Sequence, residues 1–264
     1  MKIPAMILCA ALAAALAAPP AAAVTRQEKV LQDAMLVLRE LQAMPDQRIP
    51  DQLLARAEGI VILPANVKIA LIGGARFGGG VMLVRTENRQ WSNPTFVRAG
   101  GGSVGFQWGG QVADIILVLT TKRSIEGITD GKMTLGADAS VAAGPVGRTA
   151  MASTSLKFDS EVYAYSRTQG LFAGVSLEGS GIFIGDKYNR SFYGDDRTAT
   201  AILSATNPPP PPANDLVTEV ARLTDGAIQS VATEQAQAVD PASTRPVEPR
   251  TYPMPDEQPG TEPR

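Results

Sequence analysis

Asp114-Ile115-Ile116-Leu117-Val118-Leu119-Thr120 is the most continuous β-forming run in the chain. Aliphatic, β-branched side chains between polar ends read as a strand covered on both faces, the central strand of a sheet. Shorter runs flank it at 60–63, 68–72 and 81–86, and again at 134–143, 160–167 and 171–184. Glu87-Asn88-Arg89-Gln90 reads as a hairpin loop leading into residues 91–98, where Pro94 marks an edge or a bulge. No regular alternation of strand and helix appears, so the sheet is expected to be mostly antiparallel. The 25 glycines suit a strongly curved, barrel-like sheet in which backbones bend or pack closely.

Helical periodicity precedes the sheet. Val30, Leu31, Ala34, Val37, Leu38 and Leu41 recur on one face of residues 25–44, and Pro45 ends that helix. A short second helix is expected at 51–58, between Pro50 and Gly59, and a closing one at 197–204. The fold class is therefore α+β, with N-terminal helices packed on a curved, mostly antiparallel, glycine-rich sheet.

Residues 1–23 read as a secretory signal peptide: Lys2, an apolar run, then Ala21-Ala22-Ala23 as the cleavage site. Export is expected, to the periplasm if the source is Gram-negative, with Val24 as the first mature residue. Residues 24–206 form the folded unit. They hold 19 basic and 17 acidic side chains, against 4 and 9 in residues 207–264. The latter segment reads as a Pro-rich, acidic, largely disordered tail, because 12 of the 20 prolines lie there. Pro208–Pro212 is expected to be a stiff spacer, with an amphipathic helix at 214–239. A protein partner for this tail is one reading of its composition.

Composition removes much chemistry. There is no histidine, and the single cysteine, Cys9, lies in the leader. Imidazole bases, histidine or cysteine metal ligands and thiol nucleophiles are excluded from the mature chain. A net charge of −2 carries no nucleic-acid signature. Gly100-Gly101-Gly102-Ser103-Val104-Gly105 satisfies both G-x-G-x-x-G and, one residue on, G-x-S-x-G. A dinucleotide site needs a helix next, and Phe106-Gln107-Trp108 is a poor one. A serine nucleophile needs a base, which is missing. The stretch reads as a glycine-rich strand turn. Gly127-Ile128-Thr129-Asp130-Gly131-Lys132 is one residue short of a P-loop. Neither a catalytic set nor a metal or cofactor site emerges, and a non-enzymatic protein is expected; a carboxylate- or serine-based hydrolase is the minor alternative.

Several strings are more specific: Gly78-Gly79-Gly80-Val81, Trp91-Ser92-Asn93-Pro94, Ala143-Gly144-Pro145-Val146-Gly147-Arg148, Gly170-Leu171-Phe172-Ala173-Gly174-Val175-Ser176 and Asn189-Arg190-Ser191-Phe192-Tyr193-Gly194. In this order they resemble the SYLF domain family, also described as a yeast-type actin-binding domain family. The resemblance runs from about residue 49 to 203. It implies lipid binding. Eukaryotic members bind phosphoinositide membranes, often through an amphipathic N-terminal segment, and some bind actin. For an exported protein, anionic phospholipid or another envelope amphiphile is the expected partner, and actin is not.

A peripheral lipid site needs cations beside exposed apolar groups, each cation worth about 1 kcal/mol at an anionic bilayer. The lipid-binding candidates are Lys68, Arg76, Arg85, Arg98, Arg148 and Arg167, with Phe77 and Trp91 as membrane-facing apolar candidates. Arg26, Lys29, Arg39, Arg48, Arg56 and Arg89 are further cations near them. For Arg148 and Arg167 an ion pair with Asp114 or Asp138 is an equal reading. The functional expectation is non-enzymatic lipid or membrane-surface binding in the envelope, with a tail-based interaction scaffold as the alternative.

Overall fold

The computed structural model describes residues 24–45, 48–70, 73–104, 109–131, 133–144, 158–169, 179–194 and 197–238. Helix α1 (Arg26–Ala43) starts at a capping box: the Glu28 amide donates to Thr25 Oγ1 at 3.2 Å, and the Thr25 amide donates to Glu28 Oε2 at 2.7 Å. Leu31, Ala34, Val37, Leu38 and Leu41 are buried along one stripe, as their spacing requires. After the short α2 (Asp51–Ala55) come β1 (Gly59–Ala70), β2 (Gly73–Val84), β3 (Thr95–Val104) and β4 (Gly109–Leu119). Helix α3 (Lys122–Thr129), β5 (Met133–Thr134), β6 (Val141–Ala143), β7 (Val162–Gln169), β8 (Ser180–Ile184), α4 (Asp186–Tyr193), α5 (Ala199–Leu203) and α6 (Pro211–Ala238) complete the chain order.

The strands form one eight-stranded sheet in the order β5-β8-β3-β2-β1-β4-β7-β6. Every pairing is antiparallel except β6 with β7. The sheet curls into an open half-barrel, the expected α+β class. Strand β4 is interior, between β1 and β7, as its apolar run requires. Alternate residues feed two cores. Ile60, Ile62, Leu83, Phe96, Ile116 and Val118 pack under α1, α2 and α6. Val61, Leu63, Met82, Val97, Ile115 and Leu117 face the other side, with Ile128 of α3 and Leu203 of α5.

The family-like strings act here as fasteners. Asn189 is fully buried; its Oδ1 accepts from the Phe96 amide at 2.7 Å, and its Nδ2 donates to Thr95 Oγ1 at 2.9 Å. The Tyr193 hydroxyl donates to the Pro94 carbonyl, and Phe192 meets Phe96 edge-on at 5.4 Å. In the Trp91–Pro94 string, Ser92 Oγ accepts from the Val84 amide at 3.0 Å, and Asn93 Nδ2 donates to the Asn207 carbonyl at 3.0 Å.

One boundary is corrected. Residues 207–238, assigned to the tail, belong to the folded body, and the helix expected at 214–239 is α6. Pro211 and Pro212 open α6, in the first turn where a missing N–H costs nothing. Ala213, Leu216, Val220 and Ala227 are buried against the core beside α1 and α2. Residues 1–23 and 239–264, the expected leader and the distal tail, lie outside the described residues.

Glu219 locks α6 to α1. Its buried carboxylate accepts from Arg222 at 2.8 Å and from Arg39 at 3.4 Å. Hydrogen bonding from Arg222 above all holds its pKa below the usual carboxylate value, against the opposing effect of burial and with help from Arg39. A depressed carboxylate pKa adds stability above its unfolded value, about 4.3, and that stability is lost as pH falls through the folded value. Both arginines are largely exposed, so Glu219→Gln should cost only about 1 kcal/mol at pH 7. The gap between wild-type and variant urea midpoints should close on acidification below pH 4.

Candidate lipid-binding groove

Strand β1 is broken at Pro64-Ala65. The pairing register shifts between Ile62 and Val67 toward β2, and between Leu63 and Asn66 toward β4. Pro64 has no amide to give, and Ala65 takes a left-handed conformation at φ 48°. The Ala65 amide donates instead to Asp114 Oδ1 at 2.9 Å. Asp114 Oδ2 accepts from Arg167 at 2.9 and 3.2 Å, and Arg167 also pairs with Glu40 of α1. This chain of contacts ties the bulge, two strands and α1 together.

Two clefts open on either side of the bulge, both walled by α1. The larger, about 480 Å³, has Gly78, Gly79 and Gly80 on its floor with Val30, Pro64 and Phe96 around them. The smaller, about 220 Å³, lies toward Leu36, Val112, Asp114 and Arg167. Charge separates the two. The larger is rimmed by Arg26, Lys29 and Arg98 against one carboxylate, Asp33. The smaller has Asp33, Glu40 and Asp114 against one guanidinium, Arg167. Only the larger suits an anionic ligand.

The contacts sort the candidate cations. Arg98 is exposed on β3, opposite Gly79 and Phe183, and makes no ion pair among the described residues. Arg26 is exposed at the start of α1, 5.6 Å over the Tyr188 ring. Lys29 is exposed but paired with Asp33 at 3.0 Å. Arg39, Arg48 and Arg89 pair with Glu219, Asp51 and Glu58, and Arg56 sits 5.2 Å over Phe158.

Arg85 and Trp91 correct the expectation for them. The Trp91 ring is 7% exposed, and its Nε1 donates to Thr224 of α6 at 2.9 Å. The Arg85 side chain is 3% exposed, stacked 4.4 Å over Trp91 and 3.8 Å from Asp225. Burial first, then Arg89, pushes its pKa down; Asp225 and Glu58 oppose this. Helix α6 covers both residues, so neither reaches a membrane. Arg167 took the ion-pair reading, with Asp114. Burial opposes its charge, but Asp114 and Glu40 outweigh burial and raise its pKa. For Lys68, Arg76 and Phe77 only the strand backbone is described, with Lys68 opposite Arg76. Arg148 lies outside the described residues.

Sequence reasoning missed Phe183. It is 44% exposed, shares a sheet face with Arg98 across the β3–β8 pair, and lays its ring over Gly181. Alternation in Ser180–Ile184 carried the signal: Ile182 is buried in the core and Phe183 points away from it. The motif-like glycines lie in regular secondary structure. Gly100, Gly101 and Gly102 lie inside β3, paired with Phe77, Arg76 and Ala75. Gly127-Ile128-Thr129 closes α3 rather than leading into a helix, the reverse of a phosphate loop. Among the described residues there is no cluster of acidic, histidine or cysteine groups fit for a metal, and no helix long and apolar enough to cross a membrane.

Residues 100–223 match the family model Ysc84, described as Las17-binding protein actin regulator. The chain is 39% identical over 174 residues to LAS seventeen-binding protein 3 of Saccharomyces cerevisiae, 65% of this chain and 38% of the yeast protein. It is 38% identical over 175 residues to Protein YSC84 of the same yeast, covering 37% of that protein. To SH3 domain-containing YSC84-like protein 1 of Homo sapiens it is 37% identical over 173 residues, half of the human protein. The chain thus spans half or less of the length of these relatives. Residues 100–223 thus match the Ysc84 (SYLF) family, in agreement with the resemblance that the sequence strings carry.

Proposed function

We propose that this protein is an exported, non-enzymatic binder of anionic lipid surfaces in the cell envelope, and that it meets them through the mouth of the larger α1–β3 groove. One observation carries the reading: Arg26 and Arg98, both exposed, flank an apolar groove with Phe183 exposed beside Arg98. Cations beside a half-exposed aromatic are what a peripheral lipid site requires. Export rests on the leader-like residues 1–23. N-terminal sequencing of protein recovered from the periplasm of a Gram-negative host should begin at Val24.

The lipid reading is tested by co-sedimentation with vesicles of phosphatidylcholine alone or mixed with phosphatidylglycerol. Binding should appear with the anionic vesicles and fall several-fold between about 50 and 500 mM salt, because the Debye length shortens from about 14 to about 4 Å. Equal binding to both vesicles, or none to either, contradicts the reading. The relatives' names favour a second one, a protein-binding scaffold. It gains ground if vesicles are ignored and a partner is retained after residues 239–264 are removed.

A further inference from the structure

Gly80 and Gly79 are neighbours on the groove floor with opposite surroundings. A Cβ on Gly80 would lie 2.0 Å from the Ile62 carbonyl oxygen, so glycine there is dictated by packing. A Cβ on Gly79 would meet nothing within 4 Å among the described residues, and its backbone is not left-handed. In a strand interior glycine weakens the structure by about 0.5–1 kcal/mol relative to alanine. The fold does not require glycine at 79, and the absence of a side chain there keeps the groove open.

We infer that this groove holds a single acyl chain, that of a monomeric long-chain carboxylate, with its head between Arg26 and Arg98. The inference deepens the lipid-surface reading and rests on it. Size supports one chain: about 480 Å³ lies in the lower half of the usual range for ligand pockets, about 300–1,000 Å³. The floor is bare backbone and aliphatic carbon, with Val30 and Phe96 as walls, and carries no charge of its own. At the mouth, two guanidiniums without carboxylate partners among the described residues fit a carboxylate by charge and by fork geometry. A bound chain would lie along β2 beneath α1, shielded from water by the helix.

Gly79→Leu tests this without disturbing the packing, since the new side chain enters open space and leucine suits a strand better than glycine. Binding of cis-parinaric acid, followed by its fluorescence below its micellar concentration and without vesicles, should show one site per wild-type chain. Gly79→Leu should weaken it at least tenfold while its urea midpoint stays at or above that of the wild type. Arg26→Glu with Arg98→Glu should weaken it similarly. If wild type sediments with anionic vesicles but parinaric acid does not bind, the groove inference falls and the surface reading stands. Undiminished parinaric binding in Gly79→Leu also overturns it. If the wild type binds neither vesicles nor parinaric acid, both readings fail.

Discussion

Trp91→Ala should lower the unfolding free energy by about 3–5 kcal/mol. The ring is buried between the sheet and α6, so truncation leaves a cavity and removes the Nε1 bond to Thr224. It also strips the aromatic face from beneath the Arg85 guanidinium, whose Nε and Nη2 have no hydrogen-bond partner among the described residues. A buried cation that loses its compensation adds to the cost. Against a total stability of about 5–15 kcal/mol for ordinary domains, such a loss brings the protein close to unfolding at 37 °C. Trp91→Phe keeps a ring under Arg85 and gives up the hydrogen bond, so it should cost less than half as much. Urea titrations followed by far-UV circular dichroism measure both. A loss under 1 kcal/mol for Trp91→Ala would show that the ring is solvent-facing after all.

A chain ending after Thr206 should fail to fold cooperatively. It lacks α6, whose Leu216 and Val220 are almost fully buried, and burying each such side chain contributes about 1.5–3 kcal/mol. It also uncovers Trp91, Leu53 and Leu54 and removes the Glu219 and Asp225 contacts to α1 and Arg85. A chain ending after Ala238 keeps all of these and should retain the full-length midpoint. The shorter chain should bind 1-anilinonaphthalene-8-sulfonate through the surface it exposes. An unchanged midpoint for the shorter chain would contradict the placement of α6 in the core.

Much of this architecture was legible in the residues. The stripe from Leu31 to Leu41 is plain period-3.6 patterning, and the structure begins α1 one residue after its Thr25 cap. Asp114–Thr120 reads as a buried strand because neither face of β4 meets water. The glycine motif is set apart from a nucleotide loop by Phe106-Gln107-Trp108, which are poor helix formers, and its residues 100–104 lie within β3 rather than at a turn. The misses have physical causes. Residues 186–193 and 122–129 are short and polar, and their helices depend on tertiary partners such as Asn189 with Phe96 and Thr95. Residues 134–143 look like one strand, yet they are two short ones at opposite edges of the sheet, β5 beside β8 and β6 beside β7. The apolar spacing at 214–239 showed α6, but the proline run hid its start at Pro211 and its place in the core, although proline in a helix's first turn is no obstacle.

The site was legible in kind but not in place. Basic residues beside apolar ones were visible throughout, and sequence gives no way to tell a stacked, buried Arg85 from an exposed Arg98 one strand later. That distinction depends on α6, Asp225 and Trp91 meeting in space. The groove likewise depends on α1 crossing the glycine strip, and no local pattern encodes that crossing.

The central claim is that the cationic mouth of the groove is where this protein meets anionic lipid. Its most direct test pairs Arg26→Glu with Arg98→Glu and compares that variant with Lys122→Glu plus Arg123→Glu, a reversal of equal charge on the exposed face of α3. Glutamate at the start of α1 suits the helix dipole, and Arg98 is exposed without an ion pair among the described residues, so both proteins should fold. In co-sedimentation with phosphatidylglycerol-containing vesicles at low salt, the groove reversal should lose at least tenfold in affinity and the α3 reversal less than threefold. Equal losses in the two variants would show that attraction is set by net charge alone and would contradict the site.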